Sequence, residues 1–447
     1  MRREGSLDAP VRHPIDWQDP DYTDFEKIDE ELRRVFDICH GCRRCFNLCD
    51  VFPRLFDLID NSSSGELDTV ESKDFANVVD ACTLCDLCFI NKCPYVPPHE
   101  FNIDFPHLMV RYRFAEFQKG RVPWTRKQLA KTDQNGKIAT ALAPLANWAS
   151  HTDNTLTRPI LERAVALHQQ APLPTFQHKT LLREVKDKTV AVNPKAPAYG
   201  QEKVAIYATC FGNYNQPKLG LAAQAILAHN GVEVTFVYPG CCGMPAFEQG
   251  NLKQTTQQAK IVASSLRPYI ERGYKILSLI PSCSLMLKME WPLLVTEDES
   301  VKLLSQNTQD ISEYIIDLHH TFGLVEGLRP MADSVTLHLA CHARAQNMGQ
   351  KAAEMLRLIP NFKVDVIERC SGHGGTWGMM VDHFQVALKV RKPAFRQIIK
   401  NASSLISSEC PLAAEHLKEG VTRETQDISF ETLHPLEILA QSYDLSY

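Results

Sequence analysis

Residues 39–50 read CHGCRRCFNLCD, and residues 82–94 read CTLCDLCFINKCP. The first is Cys39-x2-Cys42-x2-Cys45-x3-Cys49; the second is Cys82-x2-Cys85-x2-Cys88-x4-Cys93-Pro94. Three thiolates at x2 spacing wrap three corners of a cubane, because the residues between them turn the chain about it. In the bacterial ferredoxin pattern the fourth cysteine of each run ligates the other cluster. That pattern predicts one [4Fe-4S] cluster on Cys39, Cys42, Cys45 and Cys93, and a second on Cys82, Cys85, Cys88 and Cys49. Asp50 stands where a proline is usual and Cys93 comes one residue late, but neither change removes a ligand. Zinc is the alternative, since paired C-x2-C units bind it tetrahedrally; two complete runs of four favour iron and sulfide.

Outward from these runs, the cysteines divide the chain. There are 15 in 447 residues: eight between Cys39 and Cys93, none from 94 to 209, and seven between Cys210 and Cys410. The N-terminus MRREGSLDAPVRH has no apolar core of the kind a secretory signal needs, so a reducing cytoplasmic compartment is expected. There, cysteines serve as metal ligands or reactive thiols rather than staples. A net charge of −5 gives no global reason to expect a nucleic-acid partner, and no apolar run is long enough to span a bilayer.

Residues 1–23, rich in Asp, Pro and Arg, read as an extended or poorly ordered arm. From Asp24 the pattern is helical, with Phe25, Ile28, Leu32, Val35 and Phe36 at helix spacing leading into Cys39. A second short helix over 74–81 delivers Cys82, and the core of so small a domain is expected to be mostly metal. Residues 99–200 are cut by eight prolines into short helices and extended pieces. Within them, 111–131 carries Arg111, Arg113, Lys119, Arg121, Arg126, Lys127 and Lys131 against the single acid Glu116. With Phe114, Phe117 and Trp124 interleaved, this reads either as a solvated helix face or as a basic surface for an anionic membrane or a partner subunit.

From residue 203 strands alternate with helices. KVAIYA (203–208) ends at Cys210, VEVTFV (232–237) at Cys241-Cys242-Gly243, and KILSLI (275–280) at Cys283. VTLHLA (335–340) then ends at Cys341, KVDVI (363–367) near Cys370-Ser371-Gly372, and SSLISS leads to Cys410. The cysteine steps are 31 and 42 residues in the first half and 29 and 40 in the second. That agreement predicts a duplicated parallel α/β domain with reactive residues at the carboxyl ends of the strands. The glycine-rich GHGGTWG (372–378) opens no dinucleotide fingerprint, and its glycines are read as allowing close backbone approach to a metal or cluster.

Two ferredoxin runs followed by two copies of a cysteine, a Cys-Cys-Gly-type pair and a final cysteine resemble the CCG-domain iron–sulfur proteins. That family includes heterodisulfide reductase catalytic subunits, glycolate oxidase iron–sulfur subunits and the C subunit of anaerobic glycerol-3-phosphate dehydrogenase. The likeness is most specific to the last, through Cys370-Ser-Gly with GHGGTWG and the terminal ETLHPLEILAQSY. The resemblance implies a fold that is α+β overall. It comprises an N-terminal arm (1–23), a small α-helical bacterial-type 2x[4Fe-4S] ferredoxin domain (24–110), a basic helical connector (111–200) and two duplicated α/β CCG domains (201–325 and 333–447). The full family pattern has five cysteines per copy; Met286, Ser371 and Ala413 stand at three of those places here. Cys210, Cys241, Cys242 and Cys283 still make four thiolates for a further iron–sulfur cluster. Cys341, Cys370 and Cys410 need His342 or His373 to complete a site, take zinc instead, or hold nothing; the plain alternative is that both histidines are hydrogen-bonded loop residues.

The resemblance implies an electron-transfer protein, taking electrons from a flavoprotein dehydrogenase partner and passing them to membrane quinone at the cytoplasmic face of the inner membrane. The alternative is a heterodisulfide reductase-like thiol–disulfide oxidoreductase acting at the CCG site. No catalytic residue is assigned in this chain beyond its metal ligands.

Overall fold

Asp24 accepts hydrogen bonds from the N–H groups of Glu26 and Lys27 and so opens the helix Phe25–Cys42, satisfying donors that no preceding turn can. Its apolar stripe, Ile28, Leu32, Val35 and Phe36, is fully buried. The computed structural model in which this is seen describes residues 8–188, 190–331, 334–403, 405–425 and 430–447. The chain forms two units, Met1–Ala130 with Pro245–Thr256, and Lys131–Met244 with Gln257–Tyr447. The break falls inside the stretch expected as one connector.

In the first unit the helices Val51–Asp60, Phe75–Asp80 and Phe105–Gln118 join the first helix. Their core holds packed aromatics: Phe36 meets Phe75 edge-on at 5.2 Å and Phe105 at 5.9 Å, and Phe52 meets Phe105 at 5.1 Å. Residues 1–7 of the expected arm lie outside the described residues, and residues 8–23, though mostly exposed, are anchored at Arg12 and Ile15. Arg12 grips both oxygens of Asp86 at 2.8 and 3.0 Å and Asp104 at 3.0 Å; Ile15 is buried. The basic stretch is largely used within this unit. Arg111 donates to the carbonyls of Tyr22 and Asp21, and Arg113 to those of Val79 and Glu248. Arg121 pairs with Glu116 and Arg126 with Asp80, while Lys119 lies over Phe25. Most of these cations are thus spent on partners inside the unit, which is neither a simply solvated face nor a free basic surface.

The second unit holds two four-stranded parallel sheets. The first contains β1 (Lys203–Tyr207), β2 (Glu233–Val237), β3 (Lys275–Ser278) and β4 (Thr308–Asp310) in the order β2-β1-β3-β4. The second contains β5 (Ser334–His338), β6 (Lys363–Ile367), β7 (Leu405–Ser408) and β8 (Glu431–Leu433) in the order β6-β5-β7-β8. The two topologies are the same, as a duplicated domain requires. Central strands β1 and β5 are buried from their second residue onward, which is why they read as unbroken apolar runs. In each sheet the order reverses at the first strand, so the loops after β1 and β3, and after β5 and β7, diverge at their carboxyl ends. Open α/β sheets form their crevices at such points, and every strand whose sequence runs into a cysteine does so at its carboxyl end. The third layer of the second copy is apolar helix on sheet: Phe395, Ile398, Leu417 and Val421 close on Ile367 and Ile406.

Candidate metal centres

In the N-terminal unit, Cys39 and Cys42 lie on the last turn of the first helix. Arg43 ends it in the left-handed region (φ 52°), its N–H bonding to the Cys39 carbonyl, and swings Cys45 and Cys49 round. In the second run two further non-glycine residues, Leu84 and Asp86, take positive φ, each at a cost of about 1 kcal/mol. The late Cys93 has a local cause: Cys88–Lys92 forms a wide π turn, closed by the Cys93 N–H on the Cys88 carbonyl at 2.8 Å, which absorbs the extra residue. Burial pushes the Cys39 thiol well up, and neighbouring Cys93, Cys45 and Cys42 push the same way. Burial likewise raises Cys88, followed by Cys85, Cys82, Cys49 and Cys45. Thiolates crowded in this way repel one another unless a cationic core balances them, so the donor set fits an iron–sulfur group.

The first CCG copy brings four thiols into one chain. Thr209 caps the short helix Cys210–Tyr214, its hydroxyl accepting the Gly212 N–H. Gly243 turns the Cys241-Cys242 loop at φ +81°, and Cys283 sits in the helix Pro281–Leu285. The sulfurs of Cys241 and Cys210 are 3.9 Å apart, and Cys242 bridges Cys241 to Cys283. Cys241 is the favoured thiolate, because it accepts from the thiols of Cys210 and Cys242 and from the Gly243 N–H.

Around these thiols the structure adds residues that sequence reasoning does not reach. Asp133, on the helix Thr132–Ala141, accepts the Cys241 N–H at 2.8 Å and the Tyr238 hydroxyl. Its half-buried carboxyl is raised by desolvation. Gly136 lets that helix close down, since a Cβ there would sit 2.3 Å from the Tyr214 ring. Trp291, fully buried, donates its indole N–H to the Cys242 carbonyl at 3.1 Å. Only Tyr238, three residues before Cys241, carries any sequence signal; Asp133 carries none.

The second copy differs. Burial raises Cys370 and Cys410; Arg344 opposes the shift at Cys370, and Glu409 and then Cys283 add to it at Cys410. Cys341 opens the helix Cys341–Ala345. Met286 is fully buried in the core, Ala413 is buried, and the Ser371 carbonyl accepts from His416 at 2.9 Å. The three family cysteine positions are thus occupied by packing. His342 bonds through Nδ1 to the Ser282 hydroxyl at 2.7 Å, which places it beside Cys283. His373 is 6% exposed, and its Nε2 has no partner among the described residues. Two glycines of GHGGTWG serve backbone packing: a Cβ on Gly372 would lie 2.3 Å from the Ala387 carbonyl oxygen, and one on Gly378 2.5 Å from that of His373. Among the described residues no group of three or more His, Cys, Asp and Glu side chains is arranged to hold a single metal ion.

The citrate utilization protein B Fer4-like domain matches residues 32–119, and the CCG cysteine-rich domain matches twice, at 204–288 and 335–418. The chain belongs to the CCG-domain iron–sulfur proteins, with a Fer4-like domain ahead of the duplicated cysteine-rich domain. Among individual relatives, it is 27% identical over 320 residues to the C subunit of anaerobic glycerol-3-phosphate dehydrogenase from Escherichia coli (strain K12), covering 70% of this chain and 76% of that protein. It is 29% identical over 186 residues to lactate utilization protein A of Bacillus pumilus (strain SAFR-032), covering 40% and 75%. It is 25% identical over 247 residues to the B subunit of the fumarate reductase (CoM/CoB) of Methanothermobacter marburgensis, covering 54% and 46%. Such relatives point to electron transfer within multi-subunit oxidoreductases.

Proposed function

We propose that this chain is the iron–sulfur relay of an oxidoreductase complex, drawing electrons from a flavoprotein dehydrogenase partner and delivering them to membrane quinone. The observation that carries this reading is the grouping of thiols: Cys39 beside Cys93, Cys45 and Cys42, and Cys88 beside Cys85, Cys82 and Cys49. On it, Cys39, Cys42, Cys45 and Cys93 hold one [4Fe-4S] cluster, and Cys82, Cys85, Cys88 and Cys49 hold another. Cys210, Cys241, Cys242 and Cys283 hold a further iron–sulfur group. Cubanes move single electrons and make or break no substrate bond, so the substrate site falls to the partner, in keeping with relatives named as subunits of a dehydrogenase and a reductase. Among the described residues no helix is long and apolar enough to cross a membrane. Peripheral attachment instead rests on Ile138, Leu142, Leu145 and Trp148, each more than half exposed.

Anaerobic purification with iron and sulfide counting and EPR tests the reading. Two cubanes need about eight irons; a count above that assigns iron to the first CCG copy, and a zinc-only protein rejects the relay. A second reading, thiol–disulfide chemistry at the CCG site, is favoured by one feature: the Cys241 thiolate 3.9 Å from the Cys210 sulfur. Disulfide reduction lost in Cys241→Ser while the N-terminal EPR signals persist would select it.

A further inference from the structure

The two N-terminal thiol sets differ in their surroundings. Cys39, Cys42, Cys45 and Cys93 are all half-buried, and the loop through the first run leaves Gly41, Arg43, Arg44, Phe46 and Asn47 exposed. In the second set Cys82 and Cys88 are buried, and so are Leu84, Asp86, Leu87 and Phe89 around them. Reduction adds a negative charge to an already anionic cluster. Burial opposes that charge, and solvent exposure is one of the factors that set the potential of such clusters. Burial alone would therefore make the second set the harder of the two to reduce.

Arg113 is placed to offset this. It comes from the helix Phe105–Gln118, and its guanidinium donates to the carbonyls of Val79 and Cys82 and, through its other nitrogen, to that of Glu248. Burial raises the Cys82 thiol, and the Arg113 charge leads what pulls it back, so the sulfur at this corner senses the cation. At Cys39, by contrast, the influences that follow burial are three thiols, Cys93, Cys45 and Cys42. The segment Pro245–Thr256, part of the same unit, closes over Arg113. A Cβ on Gly250, at φ +74°, would lie 2.4 Å from the Arg113 carbonyl carbon, and Phe247 meets His107 edge-on at 6.5 Å. A charge half-buried in this way is screened less than one on the surface. Glu248 cancels it only in part near neutral pH, since burial raises that carboxyl to about 7 against the pull of Arg113.

We propose that Arg113 is the positioning cation of the second N-terminal site: its charge, held beside Cys82, raises the reduction potential of the cluster on Cys82, Cys85, Cys88 and Cys49 and keeps that buried site reducible. The inference rests on the relay reading above and adds to it a residue outside the cysteine pattern. Net charge near the cluster is the lever it uses.

EPR-monitored redox titration of the full chain, purified anaerobically with its clusters, tests this. Cys42→Ser identifies the signal of the first set, so the two can be followed apart. Arg113→Gln should lower the potential of the second cluster by about 59 mV, a tenfold change in its one-electron equilibrium, and leave the first where it was. Arg113→Lys, which keeps the charge and loses the fork, should restore most of that difference. Circular dichroism and iron content report folding. Where Arg113→Gln folds poorly, Glu248→Gln serves instead. It keeps the backbone carbonyl that Arg113 binds and removes a negative charge at pH 8, so it should raise the potential of the second cluster alone. Equal shifts in Arg113→Gln and Arg113→Lys, a shift shared by both clusters, or no shift in any variant overturns the proposal and leaves Arg113 a purely structural clamp. The relay reading survives those results, because both clusters are still seen. A chain that binds zinc and shows no cluster signal overturns both.

Discussion

Asp133 Oδ2 accepts the backbone N–H of Cys241 at 2.8 Å, across 108 residues of sequence. The same carboxylate takes the Tyr238 hydroxyl, so one side chain from a short helix fixes both the strand end and the loop that carry the paired cysteines. Trp291 does the corresponding work from the far side, at the Cys242 carbonyl. The Cys241-Cys242 pair is thereby held by hydrogen bonds to its own backbone, which sets the geometry of that loop whether or not a cluster is bound.

Replacing Asp133 by Ala leaves a buried N–H and a buried hydroxyl without an acceptor, a loss of about 2 kcal/mol. Asp133→Asn, which keeps an acceptor oxygen, should recover part of it. Urea denaturation midpoints of the second unit measure the stability. Iron content after mild chelation shows whether the first-copy thiols have loosened, while the N-terminal EPR signals are expected to stay unchanged.

Cys241→Ser and Cys410→Ser should behave differently. Cys241 is joined to Cys210 and Cys242 in one thiol chain, whereas Cys410, only half-buried, lies beside Glu409 and Cys283. Iron beyond the N-terminal clusters should fall in the first variant and hold in the second. Equal losses would mean that both copies ligate metal.

The strands of the second unit, and the cysteine at each strand's end, are legible in the sequence because buried parallel strands announce themselves as apolar runs bounded by turns. β4 and β8 are not, being three residues each and too short to show a pattern. Residues 132–141 read as connector because nothing local marks Asp133 as a partner of Cys241; that contact exists only once the chain has folded. Charge counting over 111–131 cannot show that Arg113 donates to the Val79 carbonyl instead of facing solvent. The glycines of 372–378 do mark a close approach, but what approaches is the Ala387 carbonyl.

Arg12 ties the N-terminal segment to Asp86, beside Cys85, and to Asp104. Its side chain is 10% exposed and that of Asp86 is 7% exposed, so truncation leaves a buried carboxylate without its cation. Arg12→Ala is expected to cost roughly 3–5 kcal/mol. The readout is faster loss of N-terminal cluster absorbance under a chelator. A chain lacking residues 1–14 should match it, while Lys27→Ala, at an exposed pair with Asp21, should not.

Acid acts on the second unit through imidazoles that are buried neutral, and His338 is one of them. Buried His338 donates Nε2–H to the Arg369 carbonyl at 2.9 Å and accepts the Ser408 hydroxyl at Nδ1, 3.0 Å away, an arrangement that uses the neutral ring fully. Burial holds its pKa down to about 4 from an ordinary 6.5. Because the folded value lies below the unfolded one, the unfolded chain takes up a proton that the folded chain refuses. Stability is thus intact above about pH 6.5 and falls steadily as the pH drops toward 4. At roughly 1.4 kcal/mol per pH unit, this residue alone removes about 2 kcal/mol between pH 7 and pH 5. His338→Gln should lower stability at pH 7.5 through poorer packing, yet flatten the decline below pH 6.5. Denaturation midpoints of both proteins across that range measure the difference in slope, and parallel curves would rule His338 out as the source.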